Sequence, residues 1–543
     1  MLQRTLVFFL ASSVSIIETK SHLVFLFLLL SIEKLHRKHF TMALEEVKTI
    51  ECNRIFYNGK LQPGFLTYSL TTGKIISIGK EKPSAKASIY HEEKLSHSQL
   101  IIPGIIDPHV HLNEPGRTSW EGFLTGTKSA VSGGITTLVD MPLNALPPTT
   151  NLANLKVKLD AIKETENGKN KLFGDVGLWG GLVPNNLDDL EDLIINGVRG
   201  FKGFMIDSGV AEFPMIDEEY IAEVFDKILD IQTRLEGKDD ESCSFVKEIA
   251  LLFHAEYDTN NNTVAGCCTG AKKFSSKTTQ KDPTKYKTFL DSRPDDFELE
   301  AITKVIRQME LCLERNGACP KVHIVHLSSA KCLSVVKQAK ITKKLPITCE
   351  TCFHYLVLNS ESIADGETIY KCCPPIRSDD NRHQIWDALL NGVISTVVSD
   401  HSPCTADLKN LDKGDFMDCW GGVCSVGLGL HLLYTTFIKE YPAISSEKIW
   451  KHICEWICEN PSKQIGFQKF KGFLKPDYDA DFVIVDDAKE FVIDNKKTFF
   501  KNKLTPYQGF RSSCTVIRTV LRGINVYSEV EGHISDPIGK CIL

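Results

Sequence analysis

The chain has 543 residues, 42% of them hydrophobic, which is enough to bury a large core and too long for one ordinary domain. Its 63 basic and 69 acidic residues leave a net charge of −6, with no basic stripe beyond a short cluster near position 36, and this argues against a nucleic-acid partner. The 18 cysteines are dispersed, several on apolar strand-like segments, as expected of reduced intracellular core thiols and not of a disulfide framework.

Residues 6–17 and 23–32 are apolar, with Arg4 ahead and Lys34, Arg37 and Lys38 behind. Each stretch is too short to cross a bilayer, and Glu18 and Lys20 interrupt them. Residues 1–41 therefore have three readings: an organelle-targeting leader, a secretory signal, or an extension upstream of a start at Met42. The intracellular character of the rest favours the leader or the extension, and a place in the cytoplasm, a mitochondrion or a peroxisome. No SKL-type tail ends the chain, and Cys541 is too close to the end for a prenylation box.

Residues 42–98 read as short strands separated by turns (ECNRIFYNGK, FLTYSL, GKIISIGK), and an all-β pattern returns within 471–543 (ADFVIVD, CTVIRTVLRGINVY). The two ends are expected to pair into one small β-sandwich domain around a middle spanning 99–470. There, LIIPGIIDP from 100 reads as one buried strand, followed by strands beginning near 135, 173, 197, 249, 322, 347 and 394. Helical patterns such as WEGFLTGTKSAVSG and FELEAITKVIRQMELCLERN separate most of them. Eight β/α units in about 300 residues predict an α/β fold, a (β/α)8 TIM barrel and not a doubly wound open sheet. The polar stretch 259–281, which includes Cys267-Cys268, is a loop excursion.

Catalytic groups of such a barrel sit at the carboxyl ends of its strands, and five of the eight ends carry ligand-type residues. His109 and His111, spaced i and i+2, project to one side of the first strand, where two imidazoles can meet one metal ion. Lys202 interrupts GFKGFM, His254 ends ALLFHAE, His326 ends VHIVHLSS and Asp400 ends STVVSDHSP. A lysine inside an apolar strand is anomalous, because burying an unpaired ammonium is costly. A buried amine can add carbon dioxide and become a carbamate able to bridge two metals; the alternative is an ammonium paired to a carboxylate at the barrel mouth. His323, three residues before His326, is expected to face the opposite side and pack against a helix. His354 is either a residue behind the ligands or structural, the lone CxxC of Cys349 and Cys352 reads as structural, and His401 points away from the site. An aspartate at Asp400 can hold a metal and carry a proton, so the set points to metal-assisted hydrolysis of an amide-type bond.

These residues, with HVHLNEPGRTSWEGF, DVGLWGGLVP, GFKGFMIDSGVAEFP, ETCFHYL, CCPPIR, VSDHSPC and KNKLTPYQG, resemble the cyclic-amidohydrolase branch of the amidohydrolase superfamily, and within it the allantoinases. The resemblance covers about 100 to 510. It implies one zinc on His109, His111 and Asp400, a second on His254 and His326, and carbamylated Lys202 bridging them, with a bridging hydroxide as nucleophile and Asp400 as general base and acid. It also implies allantoin as a small-molecule substrate, opened to allantoate in purine degradation, and a homo-oligomer, a tetramer. Dihydroorotases follow HxHL with an arginine, where this chain has Asn113; hydantoinases usually carry serine before PPxR, where it has Cys373. Asn113 and Asn144 are candidate substrate contacts. Arg117 is a substrate or lid residue or the partner of Glu121, and Glu298 and Glu300 are helix-surface or helix-packing residues. The alternatives are a hydantoinase or dihydropyrimidinase acting on other cyclic ureides, and a non-catalytic scaffold, for which a complete ligand set would be superfluous.

Overall fold

The computed structural model describes residues 46–82, 89–163, 169–236, 245–259 and 281–543. Residues 1–41, for which a leader or extension is expected, Met42 and nearly all of the 259–281 excursion lie outside the described residues.

All eight expected strands of the middle form, each nearly or fully buried, as continuous Val, Ile, Leu and Phe runs require of strands covered on both faces. Ile105–Val110, Ile135–Asp140 and Asp175–Leu178 make one parallel sheet. A second parallel sheet runs from Gly180–Gly181 through Gly200–Phe204, Ala250–His254, Lys321–Ile324 and Ile347–Cys352 to Thr396–Val398. The third unit thus serves both sheets, and a parallel bridge of Val110 with His401 joins the first unit to the end of the last. Helices alternate with the strands in the manner of a TIM barrel. Glu218–Leu235 shows why they form: the Asp217 carboxylate caps its start by accepting from the Tyr220 amide at 2.8 Å, and Ile221, Val224, Phe225, Ile228 and Ile231 make a buried stripe at helical spacing. Asp295–Asn316 opens with acidic residues and ends at Gly317, whose φ of 67° suits the left-handed closing position.

The run LIIPGIIDP is not one strand. Gln99–Pro103 pairs antiparallel with Phe482–Asp486, Ile101 opposite Ile484, while Ile105–Val110 enters the parallel sheet. Gly104 marks the break, where a Cβ would come within 2.3 Å of Thr136 Oγ1. Glu46–Tyr57, Lys60–Ser69, Ile75–Gly79 and Ile89–Lys94 join Gln99–Pro103 and the late strands Phe482–Asp486, Thr515–Leu521, Ile524–Ser528 and Gly532–His533 in a single nine-stranded sheet, so both ends of the chain share one β-rich unit. A buried charge cluster ties it to the barrel strands: the Lys471 ammonium lies 2.5 Å from Asp481, 2.8 Å from Asp175 and 3.0 Å from Asp479, and Arg522 also pairs with Asp175. Among the described residues no helix is long and apolar enough to cross a membrane.

Candidate active site

One pocket at the carboxyl ends of the strands is lined by His109, His111, Lys202, His254, His326 and Asp400 together with Asn144. Residues from five strand ends, up to 291 positions apart in sequence, therefore meet as expected. Asp400 Oδ1 is 3.2 Å from His109 Nε2 and 3.5 Å from His111 Nε2, and these three side chains are close enough to hold one ion. The His326 ring lies 5.4 Å from that of His109 and 4.5 Å from that of His254. Phe204 stacks on His254 at 4.4 Å and has the Lys202 ammonium 5.2 Å from its ring.

Burial sets the protonation states. It lowers His109, takes His254 down to about 4 and holds His326 well below the usual imidazole range, so all three rings are neutral. Burial alone would raise Asp400, but His109, His111 and His326 hold its carboxylate well below its ordinary range. Neutral imidazoles beside an anionic carboxylate are what metal binding requires. Buried His109 Nε2 and His326 Nδ1 make no hydrogen bond, leaving nitrogen lone pairs free to bind an ion. The residues present thus fit a divalent metal, and imidazole with carboxylate suits zinc, iron, cobalt or manganese.

The ligand rings are fixed from behind by carboxylates that the sequence reading did not pick out. Glu350, fully buried, accepts from His109 Nδ1 at 2.5 Å and from His323 Nε2 at 2.9 Å. Glu256 accepts from His254 Nε2 at 2.8 Å and is itself gripped by the Arg293 guanidinium, with Nε at 3.0 Å. Burial would raise Glu256, but Arg293 and His254 bring it down to about 2. Such contacts choose the ring nitrogen left for the metal and stop the ring from turning. Ser402 Oγ donates to Asp400 Oδ1 at 3.0 Å.

Several expectations change. His323 does not pack against a helix; it bonds Glu350 and Thr348 inside the barrel. The alternation argument fails because the strand ends at Ile324, and His326 lies beyond it at φ 38°. His354 is fully buried within reach of Cys352 and Asp400, and both its ring nitrogens lack hydrogen bonds. His401 is turned away, as expected, bonding Glu121 at 3.1 Å. Arg117 lies over the Trp120 ring at 4.7 Å and donates to the Asn144 carbonyl, while Glu121 accepts from His401 and the Lys501 amide. Of the two readings of Glu298 the packing one holds: it is buried in its helix, accepting from Ser328 and Arg377. Asn144 donates to His111 Nδ1 at 3.4 Å, whereas Asn113 is not in the pocket lining and donates to the Pro403 carbonyl at 3.4 Å.

Residues 100–526 match the Amidohydrolase family. The chain belongs to that family. This amidohydrolase is 44% identical to an allantoinase of Saccharomyces cerevisiae over 504 residues, 92% of this chain and 99% of that one. A probable allantoinase 2 of Dictyostelium discoideum is 35% identical over 92% of this chain and 93% of its own length. Among solved structures, an L-hydantoinase (dihydropyrimidinase) from Arthrobacter aurescens superposes with a TM-score of 0.75 at 23% identity, covering 91% of this chain and 99% of that one. That likeness shows the fold, a TIM barrel with a β-rich domain.

Proposed function

We propose that the chain is an allantoinase, a cyclic amidase that hydrolyses the hydantoin ring of allantoin to allantoate. The observation that carries this reading is the convergence of His109, His111, Lys202, His254, His326 and Asp400 in one pocket, in a chain of which 92% is similar to a yeast allantoinase. His109, His111 and Asp400 would hold one divalent ion and His254 and His326 a second, with Lys202 as N6-carboxylysine between them. Zinc is the favoured metal. Bound there, the ions would acidify water and polarise a ring carbonyl. Asp400 would take up a proton on the carboxylate oxygen not aimed at the two imidazoles and return it to the leaving ring nitrogen, with Ser402 Oγ keeping that carboxylate oriented through Oδ1. Lys202 Nζ, once its ammonium has given up one proton, adds to carbon dioxide and releases a second, turning a buried cation into a carboxylate ligand. The Asn144 amide oxygen, buried and without a hydrogen bond, offers an acceptor to a ring or ureido N–H. Asn113 donates to the Pro403 carbonyl, next in the chain to Ser402 of the pocket lining.

The same reading takes the eight units as closing into a barrel over 99–470, with 42–98 and 471–543 folding into a small sandwich that takes Gln99–Pro103 with it. Residues 1–41 are a leader or extension, the location is cytoplasm, mitochondrion or peroxisome, and the assembly is a homo-tetramer.

The test is hydrolysis of allantoin beside hydantoin and dihydroorotate by the zinc-supplied protein, as the full chain and starting at Met42. Lys202→Ala should lose on the order of 100-fold in activity, the scale set by losing a metal-positioning group, and recover when a short-chain carboxylic acid is added. Brisk opening of hydantoin or dihydroorotate with allantoin untouched would refute the substrate.

A further inference from the structure

Between Asp400 and Gly429 the chain contains no α-helix and no extended strand; its regular piece is the 3-10 turn Ala406–Lys409. This irregular stretch nevertheless supplies Gly421 and Gly422 to the pocket, beside Cys372 and Cys373. Its buried carbonyls need donors, because no sheet or helix ladder serves them. Two buried lysines supply them. Lys371 Nζ donates to the carbonyls of Cys419 at 2.6 Å and Met417 at 3.4 Å, and Lys409 Nζ to those of Gly422 at 2.5 Å and Trp420 at 3.0 Å. The Lys371 backbone takes part as well, since the Gly422 amide donates to the Lys371 carbonyl at 2.8 Å.

Lys371 is 3% exposed and Lys409 1%, and among the described residues neither has a carboxylate partner. A buried ammonium without a counter-charge is costly, and neutral donors could satisfy the same carbonyls at lower cost. Four carbonyls within six residues converge on the two ions, so the ions fix one segment and not the fold at large. A wall made of glycine presents only backbone to a ligand, and its position has to come from behind it. Gly422 leaves no slack: a Cβ there would come within 2.1 Å of the Ser402 carbonyl oxygen.

We propose that Lys371 and Lys409 are positioning residues that clamp Met417–Gly422 and so set the substrate-facing wall of the pocket. The proposal rests on the allantoinase reading for its substrate only. Lys371→Met and Lys409→Met are to be compared with the full-length wild type, zinc-loaded, by steady-state hydrolysis, metal content and thermal melting. Each variant should raise KM for allantoin roughly tenfold or more while kcat stays within about threefold, the pattern of lost binding with the chemistry intact. Metal content should not change. Lys409→Arg, which keeps a cation but alters the reach to Trp420 and Gly422, should fall between wild type and Lys409→Met. Unchanged KM in the folded Met variants overturns the proposal. So does a fall in kcat with metal loss at constant KM, which would place the effect in the metal centre, and so does loss of folding in both Met variants, which would make the clamp a determinant of the fold alone. If the wild type opens hydantoin and not allantoin, the substrate reading fails while the same KM and kcat comparison on hydantoin still decides the clamp.

Discussion

Glu350→Gln is the sharpest perturbation of the site, because it keeps the shape of a side chain that touches no metal ligand atom and removes only its charge. Glu350 is fully buried, and its two oxygens accept from His109 Nδ1 at 2.5 Å and His323 Nε2 at 2.9 Å. Burial would raise this carboxyl, but His109 and His323 hold it far below its ordinary range, so it is an anion in the fold. A glutamine amide offers one accepting oxygen and one donating NH2. If the NH2 faces His323, that ring can answer by exchanging roles with the Thr348 hydroxyl, 2.7 Å from its Nδ1. If it faces His109, Nδ1 must accept, the proton moves to Nε2, and the nitrogen aimed at Asp400 is blocked for a metal. Either way one charge-assisted hydrogen bond of about 1.5–3 kcal/mol is lost. At about 1.4 kcal/mol per decade this predicts zinc bound roughly 10- to 100-fold more weakly, the range known for residues behind metal-ligating histidines. Equilibrium competition with a chelator measures it, and activity should return in part at saturating zinc. Zinc affinity within about twofold of wild type would refute the reasoning.

Two further outcomes concern stability. Lys471→Met leaves Asp175, Asp479 and Asp481 facing one another around a vacated centre, so it should cost about 3–5 kcal/mol, read as a large fall in the urea midpoint; a change under about 0.5 kcal/mol would show that the cluster adds nothing. His431, far from the pocket, is held by burial at about 4 against 6.5 when free. Its ring is neutral in the fold, so its contribution is complete above pH 6.5 and is lost as pH falls towards 4, when the unfolded chain binds the extra proton. This amounts to about 1.4 kcal/mol by pH 5.5, and His431→Gln should unfold in urea with a correspondingly flatter dependence between pH 7.5 and 5.5; an unchanged dependence would count against it.

What the sequence disclosed and what it withheld follow from how far each signal reaches along the chain. Strand periodicity is local, and seven of the eight expected strands form at their apolar runs, while the first takes only the second half of its run. The residues that meet in the pocket were legible because five of them stand at or just past the end of such a run and the sixth, Lys202, interrupts one. Glu350 lay open to the same reasoning that exposed Lys202, a charged residue inside an apolar strand, ITCETC, although it was not picked out there. The Arg293 partner of Glu256 was not legible, since 37 residues separate them and only the fold brings them within 3.0 Å. The division of LIIPGIIDP between two sheets was hidden for a related reason. Its apolar residues are buried on both sides of Gly104, and burial does not say in which sheet.

The misplacement of His323 exposes a more general feature of the site. Alternation of side chains holds only while the backbone is extended, and two of the pocket residues, His326 and Asp400, lie past the ends of their strands where it is not. His326 has φ 38° and Asp400 φ 42°, left-handed values that few residues other than glycine adopt although His, Asp and Asn reach them most readily, and Asn113 and Asn144 are also left-handed at 62° and 68°. Each such residue stores about 1–3 kcal/mol of strain and persists only where its surroundings overdetermine it. The surroundings here do: the His326 amide donates to Glu350 Oε1 at 3.3 Å, and the one Ser402 hydroxyl proton is shared between the Asp400 carbonyl at 2.6 Å and its Oδ1 at 3.0 Å. The strands bring the backbone of five distant segments to one end of the barrel, but extended geometry would send neighbouring side chains to opposite faces. One left-handed residue just past a strand re-aims a side chain inward. Glu350 then acts twice, orienting the His109 ring and fixing the bend that presents His326, which is why a single buried carboxylate is expected to control the affinity of the whole centre.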